Sequence, residues 1–202
     1  NMVEGDMDKK IRRKYRYLIE SSKVYSKLKR KMTRKIRIIR FIEKIVGAIK
    51  KSGSAYKIDL DMPLTYLLSV ILKRIVMLIR GKIKCIGVNK HGKNVFVDKN
   101  VKLKCKSKIK IGSGVTIQKG VYIDALSKNG LQLGNGCSIG SGTIIRCSGN
   151  YKELGTGFVM GNNSSLADNC FVGATGGVWI GDDVIGGQNI RFHSSNHVYE
   201  NS

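Results

Sequence analysis

The chain has 202 residues, 42% hydrophobic and 25% charged, which is enough to bury one core with an appendage and too apolar to be disordered throughout. Its 37 Lys and Arg against 14 Asp and Glu give a formal net charge of +23, which points to an anionic partner: nucleic acid, a phospholipid surface or a phosphorylated substrate. Five cysteines, an odd number without a CxxC pair, speak against a disulfide framework and a structural zinc and fit a reducing compartment.

The first thirty residues are dense in Lys and Arg and hold no apolar stretch of the kind a secretory signal needs, with Met2 reading as the natural start. Residues 1–90 carry 25 basic and 7 acidic side chains, whereas residues 91–202 carry 12 and 7. Glycine divides the other way, with four of 24 before position 86. Two differently built parts are therefore expected, a basic amphipathic helical region over 1–86 and a repeat domain over 87–202.

In the first part Leu28, Met32, Ile36, Ile39, Ile42, Val46 and Ile49 recur at three- and four-residue steps and stack on one helical face, with cations over much of the remainder. Residues 51–54, Lys-Ser-Gly-Ser, read as a stop and hinge. A second helix is expected after Asp61 as N-cap, with Pro63 in its first turn and an apolar face of Leu64, Leu67, Leu68, Ile71, Ile75, Leu78 and Ile79. Lys73 and Arg74 sit at the centre of this run, which argues against a transmembrane span. Two readings stay open for residues 8–80. They lie on an anionic membrane surface, or they pack on each other or across a homo-oligomer and leave a solvated basic face.

From Val97 onward the sequence has a six-residue beat: an aliphatic residue leads, Gly or a small residue often follows, and a small or β-branched residue comes fifth. The leading positions group in threes: Val97, Leu103, Ile109; Ile111, Ile117, Ile123; Leu133, Ile139, Ile145; Met160, Leu166, Val172; Ile180, Gly186, Phe192. Fourteen of the fifteen are apolar, and the step from Ile109 to Ile111 is a register break. Eighteen residues in three short strands describe one turn of a triangular coil whose leading side chains point inward and stack on their equivalents one coil away. Gly at the second place suits corners needing unusual φ/ψ. Cys137 and Cys170, at the fifth place, are expected as buried small hydrophobes. The inserted residues, including 148–157, should leave one edge of the prism as a common ledge.

These hexads resemble the hexapeptide-repeat acyltransferases, over roughly residues 90–202. The resemblance is carried by Asp124-Ala-Leu-Ser127, by the eight residues from Ser138 to Ile145, by the ten from Asp168 to Gly177, and most of all by Asn189-Ile-Arg-Phe-His-Ser-Ser-Asn-His197. It is similar to the sugar and polysaccharide O-acetyltransferases of the capsule and lipopolysaccharide branch. That resemblance implies a mainly β fold, a left-handed parallel β-helix of about five coils, preceded here by the basic helices. It also implies a homotrimer with acetyl-CoA, the acyl donor, lying between adjacent subunits. His197 would be the general base, and Asn169 falls on a family Asn that lines the acceptor side. Relatives continue with further coils where this chain stops five residues after His197. Ala174 and Thr175 stand where the family often has acidic residues.

The residue chemistry runs parallel. Acetyl transfer to a hydroxyl needs a base for the hydroxyl proton and donors for the tetrahedral oxyanion, and histidine is the usual proton carrier near neutral pH. Of the three histidines, His91 beside Lys90 and Gly92 reads as a solvated loop residue and His193 as a structural or substrate-side group. His197 lies just past the last coil, with Asn196 as a weak additional donor. The leading function is an acetyl-CoA-dependent O-acetyltransferase, without a metal, acting on a sugar hydroxyl of a surface polysaccharide or its precursor. The protein would then be cytoplasmic, peripheral on the inner face of the membrane. The alternatives are an inactive β-helical scaffold or membrane-binding module and an acetyltransferase for an amino sugar nucleotide or serine. Nucleic acid is disfavoured because no aromatic stacking motif accompanies the cations, and a metal hydrolase lacks a third ligand beside His193 and His197.

Overall fold

The structure is a computed structural model and describes residues 7–11, 13, 22–50, 57–148, 152 and 154–195. The chain forms two compact units, Asn1–Val70 and Ile71–Ser202. The expected hinge at residues 51–54 lies outside the described residues.

In the first unit, helix α1 (Ser22–Lys50) buries Ile36 and Ile39 and half-buries Leu28, Met32 and Ile42, as its apolar spacing requires. Ile36 packs with Met7 and Ile11 of a helical stretch at residues 7–11, and Met32, Tyr25 and Leu60 close the cluster. Polar contacts fix the register: the Tyr25 hydroxyl donates to Asp8 Oδ1 at 2.7 Å, and the Ile58 N–H donates to Glu43 Oε1 at 2.7 Å. Helix α2 (Leu64–Lys84) opens on the Pro63 carbonyl, which accepts from the Leu67 N–H at 3.0 Å. Asp59 organises the turn before it, taking the Asp61 N–H on Oδ1 and the Met62 N–H on its carbonyl.

The second unit is a parallel β-helix of five coils. Coil one holds β1 (Lys90–His91), β2 (Phe96–Val97) and β3 (Lys102–Lys104); coil two holds β4 (Ile109–Ile111), β5 (Thr116–Ile117) and β6 (Tyr122–Asp124). Coil three holds β7 (Leu131–Leu133), β8 (Ser138–Ile139) and β9 (Ile144–Arg146), and coil four β10 (Phe158–Met160), β11 (Ser165–Leu166) and β12 (Phe171–Gly173). Coil five holds β13 (Val178–Ile180), β14 (Ile185–Gly186) and β15 (Arg191–His193). Every third strand pairs in parallel, giving three five-stranded sheets.

The register corrects the expected first triplet. His91, Val97 and Leu103 align with Ile111, Ile117 and Ile123, so coil one starts at His91. Ile109 aligns instead with Leu131 and Phe158, because the first-sheet strands of coils two to four present both ends inward. The apparent register break at Ile109 disappears. Four residues turn each of the first two corners of every coil, whereas the third corner, from third sheet to first, takes four, six, eleven and four residues in successive coils. All the irregular spacing thus collects on one edge of the prism. His91 is exposed, on a strand rather than a loop.

Leading residues stack as a column: Ile117, Ile139 and Leu166, and Ile123, Ile145 and Val172, are nearly or wholly excluded from solvent, each worth about 1.5–3 kcal/mol of transfer free energy. Gly186 leaves no hole, since a Cβ there would lie 2.9 Å from Leu166 Cδ2 and 3.4 Å from Ile190 Cδ1, which close over it.

The corners differ from the expectation in which place needs which property. The left-handed backbone falls at the fourth place, on Asn94, Gly114, Gly136, Asn163 and Asp183 at the first corner and on Asn100, Gly120, Gly142, Asn169 and Asn189 at the second, with φ of 54° to 73°. Gly at the second place answers to close approach: a Cβ on Gly134 would sit 2.7 Å from both Gly161 C and Asn162 N of the next coil. Small polar fifth residues satisfy second-place carbonyls of the following coil. Cys137 Sγ donates to Gly161 O at 2.8 Å, Thr143 Oγ1 to Ala167 O at 3.1 Å, Ser164 Oγ to Gly181 O at 2.7 Å and Cys170 Sγ to Gly187 O at 3.3 Å. Cys137 and Cys170 are buried as expected, and their thiols serve as donors as well as packing atoms.

Within this unit the second half of α2 covers the start of the prism. A Cβ on Gly81 would overlap the Val95 carbonyl oxygen, and Cys85 joins the core cluster of Val95 and Val97. Asp98 clamps the helix: its nearly buried carboxylate meets Lys73 Nζ at 3.1 Å and Arg80 at 3.6 Å. Arg74 lies over the Phe96 ring at 5.0 Å and donates to Thr116 Oγ1 at 3.1 Å. Burial alone would raise the Asp98 carboxyl; the Lys99 N–H, Lys73 and Arg80 together outweigh it and hold the group below its ordinary range. The apolar face of α2 differs accordingly. Leu67 and Met77 are buried and Leu64, Ile71 and Leu78 half-buried, while Leu68, Ile75 and Ile79, expected on the same face, are exposed.

Candidate functional site at the third corner of the last coils

The outer face of the third sheet carries a column of chemically distinct side chains. Along one row, Lys104, Asp124, Arg146, Gly173 and His193 occupy equivalent positions in successive coils. Lys104 and Arg146 both approach the Tyr122 ring, at 5.4 and 5.7 Å, and the Tyr122 hydroxyl donates to Asp124 Oδ2 at 3.3 Å. His193 is exposed and tilts against Phe171, ring centroids 5.1 Å apart. A Cβ on Gly173 beside it would lie in contact with Phe171 Cε1 at 3.4 Å and His193 Nδ1 at 3.8 Å.

Beyond β15 the chain is tied to the corner of coil four. Ser194 donates from both its N–H (3.1 Å) and its hydroxyl (3.0 Å) to Gly173 O, and its Oγ accepts from the Gly176 N–H at 3.0 Å. Gly176 is required for this contact, since a Cβ there would overlap the Ser194 carbonyl oxygen. Next to it Gly177, at φ 97°, lies beneath the Trp179 ring, which occupies the space a Cβ would need. The indole is 65% exposed, leaving an aromatic surface beside the anchored chain. Ala174 is buried at this corner, so no acidic side chain stands there.

Of the expected site residues, His193 and the segment leading to Ser195 meet at this corner. Asn196 and His197 lie outside the described residues. Asn169 sits apart, exposed at the second corner of coil four, where its left-handed backbone and the donation of its N–H to Ser141 O account for an Asn at a turn position. Reading the sequence missed Trp179, Gly176, Ser194, Phe171 and Arg146. Trp179 carried a signal as the single tryptophan, and Phe171, Gly176 and Ser194 lie inside the segments that carry the resemblance.

Three of the five thiols are held in the protonated form by burial. Cys147 is buried and its pKa is pushed up to about 12, and burial also raises Cys85 and Cys137. Among the described residues no three His, Cys, Asp or Glu side chains converge on a point. A hollow of about 540 Å³ lined by Lys29, Arg30, Thr33, Arg34 and Arg37 belongs to α1, and holds no group able to take a proton from a hydroxyl at neutral pH.

No family model matches the chain, and no curated protein matches it. Among solved structures it is similar, at 16% identity and a TM-score of 0.26 over 55% of this chain and 80% of the other, to a variant of AntD. AntD is an N-acyltransferase from Bacillus cereus, there in complex with dTDP-4-amino-4,6-dideoxyglucose and coenzyme A.

Proposed function

We propose that the protein transfers an acetyl group from acetyl-CoA to a hydroxyl of a sugar, with His197 as general base. One observation carries the reading: the hexad β-helix leads its last described strand into the histidine segment at a corner held by Ser194 and flanked by Trp179 and His193. The hexads and the segment ending in His197 are the features shared with the sugar O-acetyltransferases. A homotrimer belongs to the same reading. His193 and Asn196 would then face the acceptor.

In this scheme the acceptor oxygen bonds to the thioester carbonyl carbon as His197 removes its proton. The tetrahedral oxyanion collapses with cleavage of the C–S bond, and the imidazolium returns the proton to the leaving sulfur. Trp179 offers a flat apolar face of the kind that packs against a sugar ring.

Acceptor profiling tests the proposal. Purified protein with acetyl-CoA should release free thiol in the presence of neutral sugars or polysaccharide fragments, with the product an alkali-labile ester. An alkali-stable amide formed only with amino sugar nucleotides would replace O- by N-acetylation. No thiol release with any acceptor would refute the transferase reading.

A further inference from the structure

The clamp that holds α2 to the prism also decides what the helix shows to the outside. Leu72, Ile75, Val76, Ile79, Ile83 and Ile86 are all exposed, by 41% to 71%. At 100° per residue the five within the helix, Leu72 to Ile83, fall within an arc of about 100°, on the side opposite Met77 and Gly81, which face the prism, and Ile86 follows in the turn after the helix. A solvated helix carries polar residues there; this one carries an unbroken aliphatic stripe roughly 17 Å long. Asp98, with Lys73 and Arg80, fixes the helix in that orientation.

Charge supplies the second half of the pattern. Between Ile71 and Lys110 there are thirteen Lys and Arg against Asp98 alone, a net of +12, whereas residues 111–202 carry five basic and six acidic side chains. Within this unit the net positive charge is therefore concentrated in the cap helix, the first coil and the start of the second. Lys82, Lys90 and Lys93 are exposed, and Lys106 Nζ donates to Ile86 O at 2.9 Å, at one end of the stripe. Among the described residues no helix is long and apolar enough to cross a membrane. An aliphatic stripe rimmed by cations on a helix too charged to span is the pattern of a helix lying in the headgroup plane.

We propose that the Leu72–Ile83 face of α2, with Ile86 in the turn after it, docks on an anionic lipid bilayer, inserting its aliphatic side chains at the headgroup boundary while the surrounding lysines meet lipid phosphates. This goes beyond the catalytic reading and does not depend on it.

The test is flotation of the full chain with vesicles of phosphatidylcholine alone or with about one third phosphatidylglycerol. The wild type should float with the anionic vesicles and stay behind with the neutral ones. Ile79→Glu/Ile83→Glu should lower the floated fraction at least about tenfold, and the neutral Ile79→Gln/Ile83→Gln should lower it as well, because both remove inserted aliphatic surface. Both side chains are exposed in the free protein, so the unfolding midpoint should not move. Three results would overturn the proposal: no flotation of the wild type; flotation of both variants as efficient as wild type, which would leave charge alone as the cause; or lipid-free association through this stripe, seen as a smaller hydrodynamic mass in the variants without any lipid binding.

Discussion

Replacing Asp98 by Asn tests how the cap helix is held. The carboxylate is nearly buried and accepts the Lys99 N–H at 2.7 Å, with Lys73 at 3.1 Å and Arg80 at 3.6 Å. The two cations are 61% and 41% exposed, so each pairing is discounted to about 0.2–1 kcal/mol. The amide can still accept the Lys99 N–H, but without the charge that makes such a bond worth about 1.5–3 kcal/mol. Together the loss should be about 1–2 kcal/mol, a fall of roughly 3–10 °C in melting temperature for a unit of this size. The pH dependence has a definite sign. The folded carboxyl lies below its ordinary value of 3.8, so its contribution is complete above that pH and is lost as pH falls through the lower folded value. Thermal unfolding of both proteins from pH 7 down to pH 2 should therefore show a gap that is constant above about pH 4 and closes below it. Equal stability at pH 7, or a gap that persists unchanged in acid, would refute the clamp.

Two further substitution and labelling experiments probe the prism. Thr143→Val should destabilise by about 1–3 kcal/mol in urea unfolding, because it strands the Cys170 N–H that the hydroxyl accepts at 3.2 Å and removes one of two donors to the Ala167 carbonyl. Thiol labelling of the native protein near pH 8 should modify the exposed Cys105 first and leave Cys147, buried and with its pKa at about 12, unmodified until the protein unfolds. Trp179→Ala should raise KM for the acceptor with little change in the unfolding midpoint, since the indole is largely exposed; steady-state kinetics beside a melting curve separates the two.

What the sequence disclosed and what it withheld divide along physical lines. The inward stacking of Ile117, Ile139 and Leu166 was legible because leading positions repeat every six residues and apolar stacking depends on side-chain type alone. The start of coil one was not, because His91 takes a leading place with a polar side chain, and Ile109 offered a tempting aliphatic in its stead. The left-handed corner was expected at the second place rather than the fourth for a similar reason. Composition marks both places with small residues, and only coordinates separate close approach at Gly134 from left-handed backbone at Gly136. The exposed side of α2 was hidden too, since a helix apolar on two faces gives one continuous signal, and the choice of Met77 over Ile79 for burial rests on Gly81 and Asp98. At the candidate site, His193 was visible as a residue type, whereas Gly176 and Ser194 matter only through a contact between coils.

Acetyl transfer by His197→Asn bears most directly on the catalytic account. With acetyl-CoA and a sugar acceptor that the wild type esterifies, the variant should lose at least about a hundredfold in kcat while keeping the wild-type melting temperature, because a base that takes the hydroxyl proton has been removed. Ester formation at the wild-type rate by a folded His197→Asn protein would contradict it.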